Sequence, residues 1–126
     1  IVRLVGSEMC IRDRLMVACC RVVGLPARFV SGYQLQQPPP KEYDLHAWAE
    51  VYLPGAGWRG FDPSAGMEVN ERYVVLATSS KPELTAAVSG SFSGPAGTNS
   101  ELTWQIQISE EASATETPSR NLVQAA

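Results

Sequence analysis

Residues 44–64, DLHAWAEVYLPGAGWRGFDPS, constrain the fold more than any other stretch of the chain. His46, Trp48, Glu50 and Tyr52 alternate with Ala47, Ala49, Val51 and Leu53, the two-residue period of a strand with two distinct faces. PGAG is a turn signal, and residues 58–62 return as the partner strand. Pairing Tyr52 with Trp58 sets Glu50 opposite Gly60 and Trp48 opposite Asp62. Opposed residues share a face, so Asp62 becomes a diagonal neighbour of His46, about 7–8 Å away between backbones. A slip of one residue would turn Asp62 to the other face, so the pattern permits the pair without forcing it.

The rest of the chain supplies what such a hairpin packs against. Residues 9–23 read as a helix, with Leu15, Met16, Cys19, Val22 and Val23 as one apolar stripe at helical period. Ser7 is its expected N-cap, Gly24 its stop, and Pro26 lies just beyond. Residues 28–35 read as a strand. The proline-rich QQPPPKEYD that follows is a loop, because three consecutive prolines cannot donate to a ladder. A further strand is expected at 73–77, after a short turn, and a last one at 102–108, where LTWQIQI alternates. VSGSFSGPAGTNS mixes a short strand signal with a Gly/Ser-rich loop, and the polar stretch from 110 onward predicts disorder. One helix followed by mostly antiparallel strands is an α+β architecture.

Composition narrows the function. The chain has 126 residues, 44% of them apolar, enough for one domain with a modest core. A net charge of −3 offers no footprint for nucleic acid or an anionic membrane. No apolar run approaches the roughly 20 residues of a membrane span. The start, IVRLVGSEMCIRDR, shows no leader pattern and no initiator methionine, so a fragment is expected. Cys10, Cys19 and Cys20 make an odd count that argues against a disulfide framework and for a reducing, cytoplasmic setting or a compartment-neutral fold. One histidine and no CxxC leave no zinc spacing, and no metal or organic cofactor is expected.

His46 and Asp62 suit acid–base chemistry. A carboxylate that accepts the Nδ1 proton fixes the imidazole tautomer, leaving the other nitrogen to hold a thiol's proton. A thiolate at a helix N-terminus beside an imidazolium is a ready nucleophile, so the third part would be a cysteine at a helix tip facing the pair. The plainer alternatives stay open: His46 as a structural histidine, Asp62 as a turn residue before proline, Trp48 and Trp58 as packing, Glu50 as a solvated charge, and the cysteines as small apolar residues.

LPARFVSGY, then DLHAWAEVYLPGAGWRGFDPS, then VSGSFSGPAG resemble the bacterial transglutaminase-like proteins, over about residues 15–108. The resemblance implies a papain-like arrangement, a cysteine-bearing helix on an antiparallel sheet that carries His and Asp. It implies His46 as base, Asp62 as its orienter, and acyl chemistry at a carboxamide of a peptide or protein substrate: proteolysis, or transfer of the acyl group to an amine. Trp48 and Tyr33 are candidate substrate-binding walls, with packing as the alternative for each.

The helix departs from the family's C-x-D-x-A-H. Counting back from Arg21 and Gly24, the family cysteine falls at Met9, its aspartate at Ile11, its alanine at Asp13 and its histidine at Arg14. Cys10, the candidate nucleophile, is one residue late, a rotation of about 100° around a helix. VGSEMCIRDR also resembles translated sequencing-adapter DNA, which would make residues near 5–14 foreign; the chain then divides into an anomalous segment 1–14, the transglutaminase-like domain 15–109 and a disordered tail 110–126. Cys10 is then an accidental cysteine, a displaced nucleophile or a structural thiol. The rival to an acyl enzyme is a non-catalytic remnant or peptide-binding scaffold.

Overall fold

The computed structural model describes residues 7–110, apart from 88, 89, 92, 100, 102 and 104, with side chains described from Ile11 onward. Helix α1 (Ser7–Val22) is followed by β1 (Ala27–Gln34), β2 (His46–Leu53), β3 (Gly57–Asp62), the two-residue β4 (Met67–Glu68) and β5 (Tyr73–Ser79), then a 3-10 turn at Pro82–Thr85. The strands form one five-stranded antiparallel sheet in the order β4-β3-β2-β1-β5. This is the expected α+β architecture.

The central hairpin has the expected register. Tyr52 opposes Trp58 and Glu50 opposes Gly60, and the ladder runs one pair further, with Leu53 opposite Gly57. Gly55 and Gly57 both take positive φ there, a conformation that a Cβ penalises. Glu50 is no solvated charge: it pairs with Arg28 across the β1–β2 ladder at 2.7 Å, and the Arg28 guanidinium lies 4.2 Å from the centroid of the Trp58 ring.

The sheet buries different residues on its two faces. On one, Val17 of α1 packs with Ala27, Phe29, Ala49 and Val51. On the other, Val30, Trp48 and Tyr73 form a second cluster. The helix presents Asp13, Met16, Val17 and Cys20 inward and leaves Leu15, Cys19, Val22 and Val23 exposed. The expected stripe is therefore wrong apart from Met16. LMVACCRVV is apolar on nearly every side, so periodicity alone could not select the face, and the charge at Asp13 disguised the inner row.

The helix stops as expected. Gly24 (φ 84°) donates to the Arg21 carbonyl and Leu25 to the Cys20 carbonyl, the paired bonds of a Schellman cap. The start differs: Ser7 is already part of the helix and not a cap outside it. Arg21 donates to the carbonyls of Ala27 and Ser80, tying α1 to β1 and to the end of β5.

The expected last strand is absent among its described residues: 103 and 105–108 belong to no strand, while 102 and 104 lie outside the description. Its alternation survives only in the burial, with Ile106 and Ile108 half-buried and Gln105 and Gln107 exposed. The disorder expected from 110 onward falls almost wholly outside the described residues, as does part of the short strand signal at 88–100. Among the described residues no helix is long and apolar enough to cross a membrane.

Gly32 opposes His46 across β1–β2 and sits at a bulge between β1 and β5. A Cβ there would lie 2.0 Å from the Val74 carbonyl oxygen and 2.7 Å from Trp48. Overpacking usually costs about 1–3 kcal/mol, and a clash with backbone belongs at the upper end. Gly32→Ala should therefore lower the urea midpoint by an amount equivalent to about 3 kcal/mol or more.

Candidate active site

The β2–β3 register delivers His46 and Asp62 to each other. His46 opens β2, Asp62 closes β3, and the His46 Nε2–H donates to Asp62 Oδ2 at 2.5 Å. The carboxylate uses His46 Nε2, not the Nδ1 expected from the triad pattern, so Nδ1 is the nitrogen left for a substrate or a nucleophile. Strand alternation puts the pair on the Trp48 side of the sheet, whereas α1 packs on the opposite side through Val17. The expectation that the pair faces the helix tip is corrected to this extent: the pair lies at the strand ends, where Asp13 of the helix still feels both charges.

Asp62 is fully buried and accepts five hydrogen bonds. Oδ1 takes the Ser64 and Ala65 backbone N–H groups at 2.9 and 3.2 Å and the Ser64 hydroxyl at 2.5 Å. This is the Asp-led turn that DPSA favours, with Pro63 shaping its first step. Oδ2 takes His46 and the Tyr73 hydroxyl, the latter at 2.9 Å. Burial pushes the carboxyl up, but the hydrogen bonds from His46, Ser64 and Ala65 and the His46 charge outweigh it and hold it below the usual carboxylate value. Asp62 is thus both a turn residue and the partner of His46.

Sequence reasoning missed Tyr73. It starts β5, the far edge strand, and nothing local links it to a residue eleven positions earlier. Burial, with donation to Asp62 and that carboxylate's charge, pushes its phenol up to about 12, so it remains a donor at any physiological pH. The Tyr73 and His46 rings lie 6.1 Å apart between centroids, and Trp48 meets Tyr73 edge-on at 5.2 Å.

A cleft of about 480 Å³ opens beside the pair, lined by His46, Asp62 and Ser64 on one side and by Gln36, Pro40, Glu42, Asp44 and Leu45 of the β1–β2 loop on another. Its charged lining besides His46 is acidic. Neither proposed aromatic wall lies there. Trp48 is fully buried beneath His46, at 6.2 Å between ring centroids, and Tyr33 is not among the lining residues. Cys10 falls in the first turns of α1, but its side chain lies outside the description. Cys19 and Cys20 are free thiols on the helix surface, exposed and half-buried. Among the described residues no three His, Cys, Asp or Glu side chains are grouped to hold a metal.

Asp13 is the anomaly. It is 3% exposed, and neither carboxylate oxygen has a hydrogen-bond partner among the described residues. Burial first, then the Asp62 charge, push its carboxyl up to about 6, against the opposing pull of His46. An uncompensated carboxylate in a packed seam destabilises the fold.

Residues 12–63 match the model of the transglutaminase-like superfamily, a family of cysteine-dependent acyl chemistry, and over this segment the chain is transglutaminase-like. An uncharacterised protein of Mycobacterium tuberculosis is 40% identical over 73 residues, covering 50% of this chain and 23% of the relative. A protein-glutamine gamma-glutamyltransferase of Pseudomonas aeruginosa is 38% identical over 56 residues, 39% of this chain and 8% of that protein. An uncharacterised protein of Mycobacterium leprae is 27% identical over 97 residues, 73% of this chain and 34% of its own length. The chain therefore spans about a quarter of the length of the Mycobacterium tuberculosis relative. No solved structure matches.

The resemblance puts an alanine at position 13, and the buried, unpartnered Asp13 carboxylate is what a small apolar residue there would avoid. Asp13→Ala should stabilise the protein by about 1–3 kcal/mol at neutral pH, the usual cost of an unsatisfied buried polar group. The sign of the pH dependence follows from the raised value. The unfolded chain releases the Asp13 proton near 3.8 and the folded chain near 6, so the Asp13 contribution is most favourable below pH 3.8 and is lost as pH rises through 6. Urea midpoints measured at pH 4.5 and 7.5 should show this loss in the parent chain and not in Asp13→Ala.

Proposed function

We propose that the cleft beside His46 serves cysteine-dependent acyl chemistry at a peptide or side-chain carboxamide, as a His46–Asp62 pair working with a thiol from the start of α1. The observation that carries this reading is the 2.5 Å bond from His46 Nε2–H to a fully buried carboxylate, with His46 lining the cleft and its Nδ1 without a hydrogen-bond partner among the described residues. Asp62 fixes the tautomer and stabilises the imidazolium, and Tyr73 and the 64–65 turn fix Asp62.

The chemistry follows from that free nitrogen. Nδ1 takes the thiol proton as sulfur attacks the carboxamide carbon. The tetrahedral oxyanion is held by a backbone N–H at the helix start. When the C–N bond breaks, the imidazolium returns the proton to the departing ammonia or amine, leaving an acyl-thioenzyme. Water then completes a hydrolysis, or an amine completes a transfer, with His46 removing the acceptor's proton. The relative from Pseudomonas aeruginosa named as a gamma-glutamyltransferase supports transfer to an amine as one outcome.

A specific observation favours a second reading for this particular chain. Met9 occupies the position where the family cysteine falls, and Asp13 loads the helix–sheet seam with an unpartnered charge. On this reading the His46–Asp62 pair persists on a scaffold whose nucleophile has been lost.

Iodoacetamide labelling at neutral pH, read by mass spectrometry for each thiol, separates the two. A working triad requires Cys10 to react at least about tenfold faster than Cys19 and Cys20, with the excess abolished by His46→Ala. Equal slow labelling of all three thiols in the parent chain, together with fast His46-dependent labelling in Met9→Cys, would identify a lost nucleophile. Slow labelling in both proteins would rule out acyl chemistry at this cleft.

A further inference from the structure

The loop that walls the His46 cleft is poorly tethered by its own backbone. Leu35 donates to the Arg72 carbonyl at 2.7 Å and Arg72 to the Gln37 side chain at 3.1 Å. From 38 to 45 no hydrogen bond to the rest of the chain is found among the described residues. Pro38, Pro39 and Pro40 have no N–H to offer. Yet Pro40, Glu42, Asp44 and Leu45 line the cleft, so something must set their position.

Segment 105–108 also borders this loop. Gln105 and Ile106 share a groove of about 580 Å³ with Lys41, Glu42, Tyr43 and Asp44. Ile108 shares a smaller cavity of about 150 Å³ with Leu35, Pro39, Tyr43 and Arg72. Ile106 and Ile108 are half-buried, while Gln105, Gln107 and Ser109 are exposed. Tyr43 lines both spaces, and Glu42 and Asp44 line both the groove and the His46 cleft.

We propose that the back of the 36–44 loop is a docking groove for an extended peptide with aliphatic side chains at alternate positions, that its occupant is the chain's own segment 105–108, and that this docking holds the loop against the His46 cleft. The segment acts as a clasp through Ile106 and Ile108. Both side chains are β-branched and stiff at χ1, so little side-chain freedom is lost on seating them. Releasing the clasp frees the proline-rich loop and exposes His46, whatever nucleophile the cleft uses.

The lone histidine makes the test direct, because diethyl pyrocarbonate modification of imidazole reports on His46 alone. In the full chain, Ile106→Asp/Ile108→Asp should raise the modification rate by about threefold or more, as expected when a local opening is made easier. Gln107→Asp, which adds charge on the exposed side, should leave the rate unchanged. A synthetic peptide of residues 103–110 should return the double variant toward the parent rate. A folded double variant that reacts at the parent rate overturns the proposal, and so does a peptide without effect. If the double variant does not fold, Ile106→Ala/Ile108→Ala decides: a modification rate raised above that of the parent supports the clasp, and the parent rate overturns it.

Discussion

The bond between the His46 ring and the Asp62 carboxylate depends on a carboxylate that has no freedom of its own. One oxygen is consumed by the turn that ends β3, and the other is shared between the imidazole and the Tyr73 hydroxyl. Three separate parts of the fold converge on it: the start of β2, the β3–β4 turn and the start of β5. A carboxylate so saturated stays ionised though fully buried. The imidazole is thereby presented with one nitrogen engaged and one available. Fixing the tautomer is a matter of strand register, since a one-residue slip in the β2–β3 ladder would turn Asp62 away.

This constraint was largely legible in the sequence. The alternation from His46 to Leu53, the PGAG turn and the return strand fix the ladder, and the pairing of Tyr52 with Trp58 carries Asp62 to His46. Other features were hidden for identifiable reasons. Which nitrogen of His46 meets Asp62 depends on ring orientation, which no spacing encodes. Tyr73 comes from the opposite edge of the sheet, so only tertiary pairing through β1 brings it to Asp62. The inner row of α1 was misread because an apolar helix gives no contrast between its sides. The expected last strand failed because alternation records which side chains are covered, and a loop can cover them as well as a sheet can.

Asp13 connects the two halves of the structure in a different sense. It is the point at which the helix, packed on one face of the sheet, comes within electrostatic reach of the pair on the other. The motif anomaly noted in the helix and the buried, unpartnered carboxylate are the same fact seen at two levels. Position 13 belongs to the packed seam, and a charge there opposes the docking that brings the start of α1 toward His46.

Arg21 has a consequence for how the molecule comes apart. Its single guanidinium reaches from the last turn of α1 to the carbonyl of Ala27 at the mouth of β1 and to that of Ser80 just past β5. Lifting the helix would strip both neighbouring strand ends of a donor in the same motion, so fraying at this corner is penalised at three places at once. Through this one side chain the helix and the outer strand are coupled into one cooperative unit.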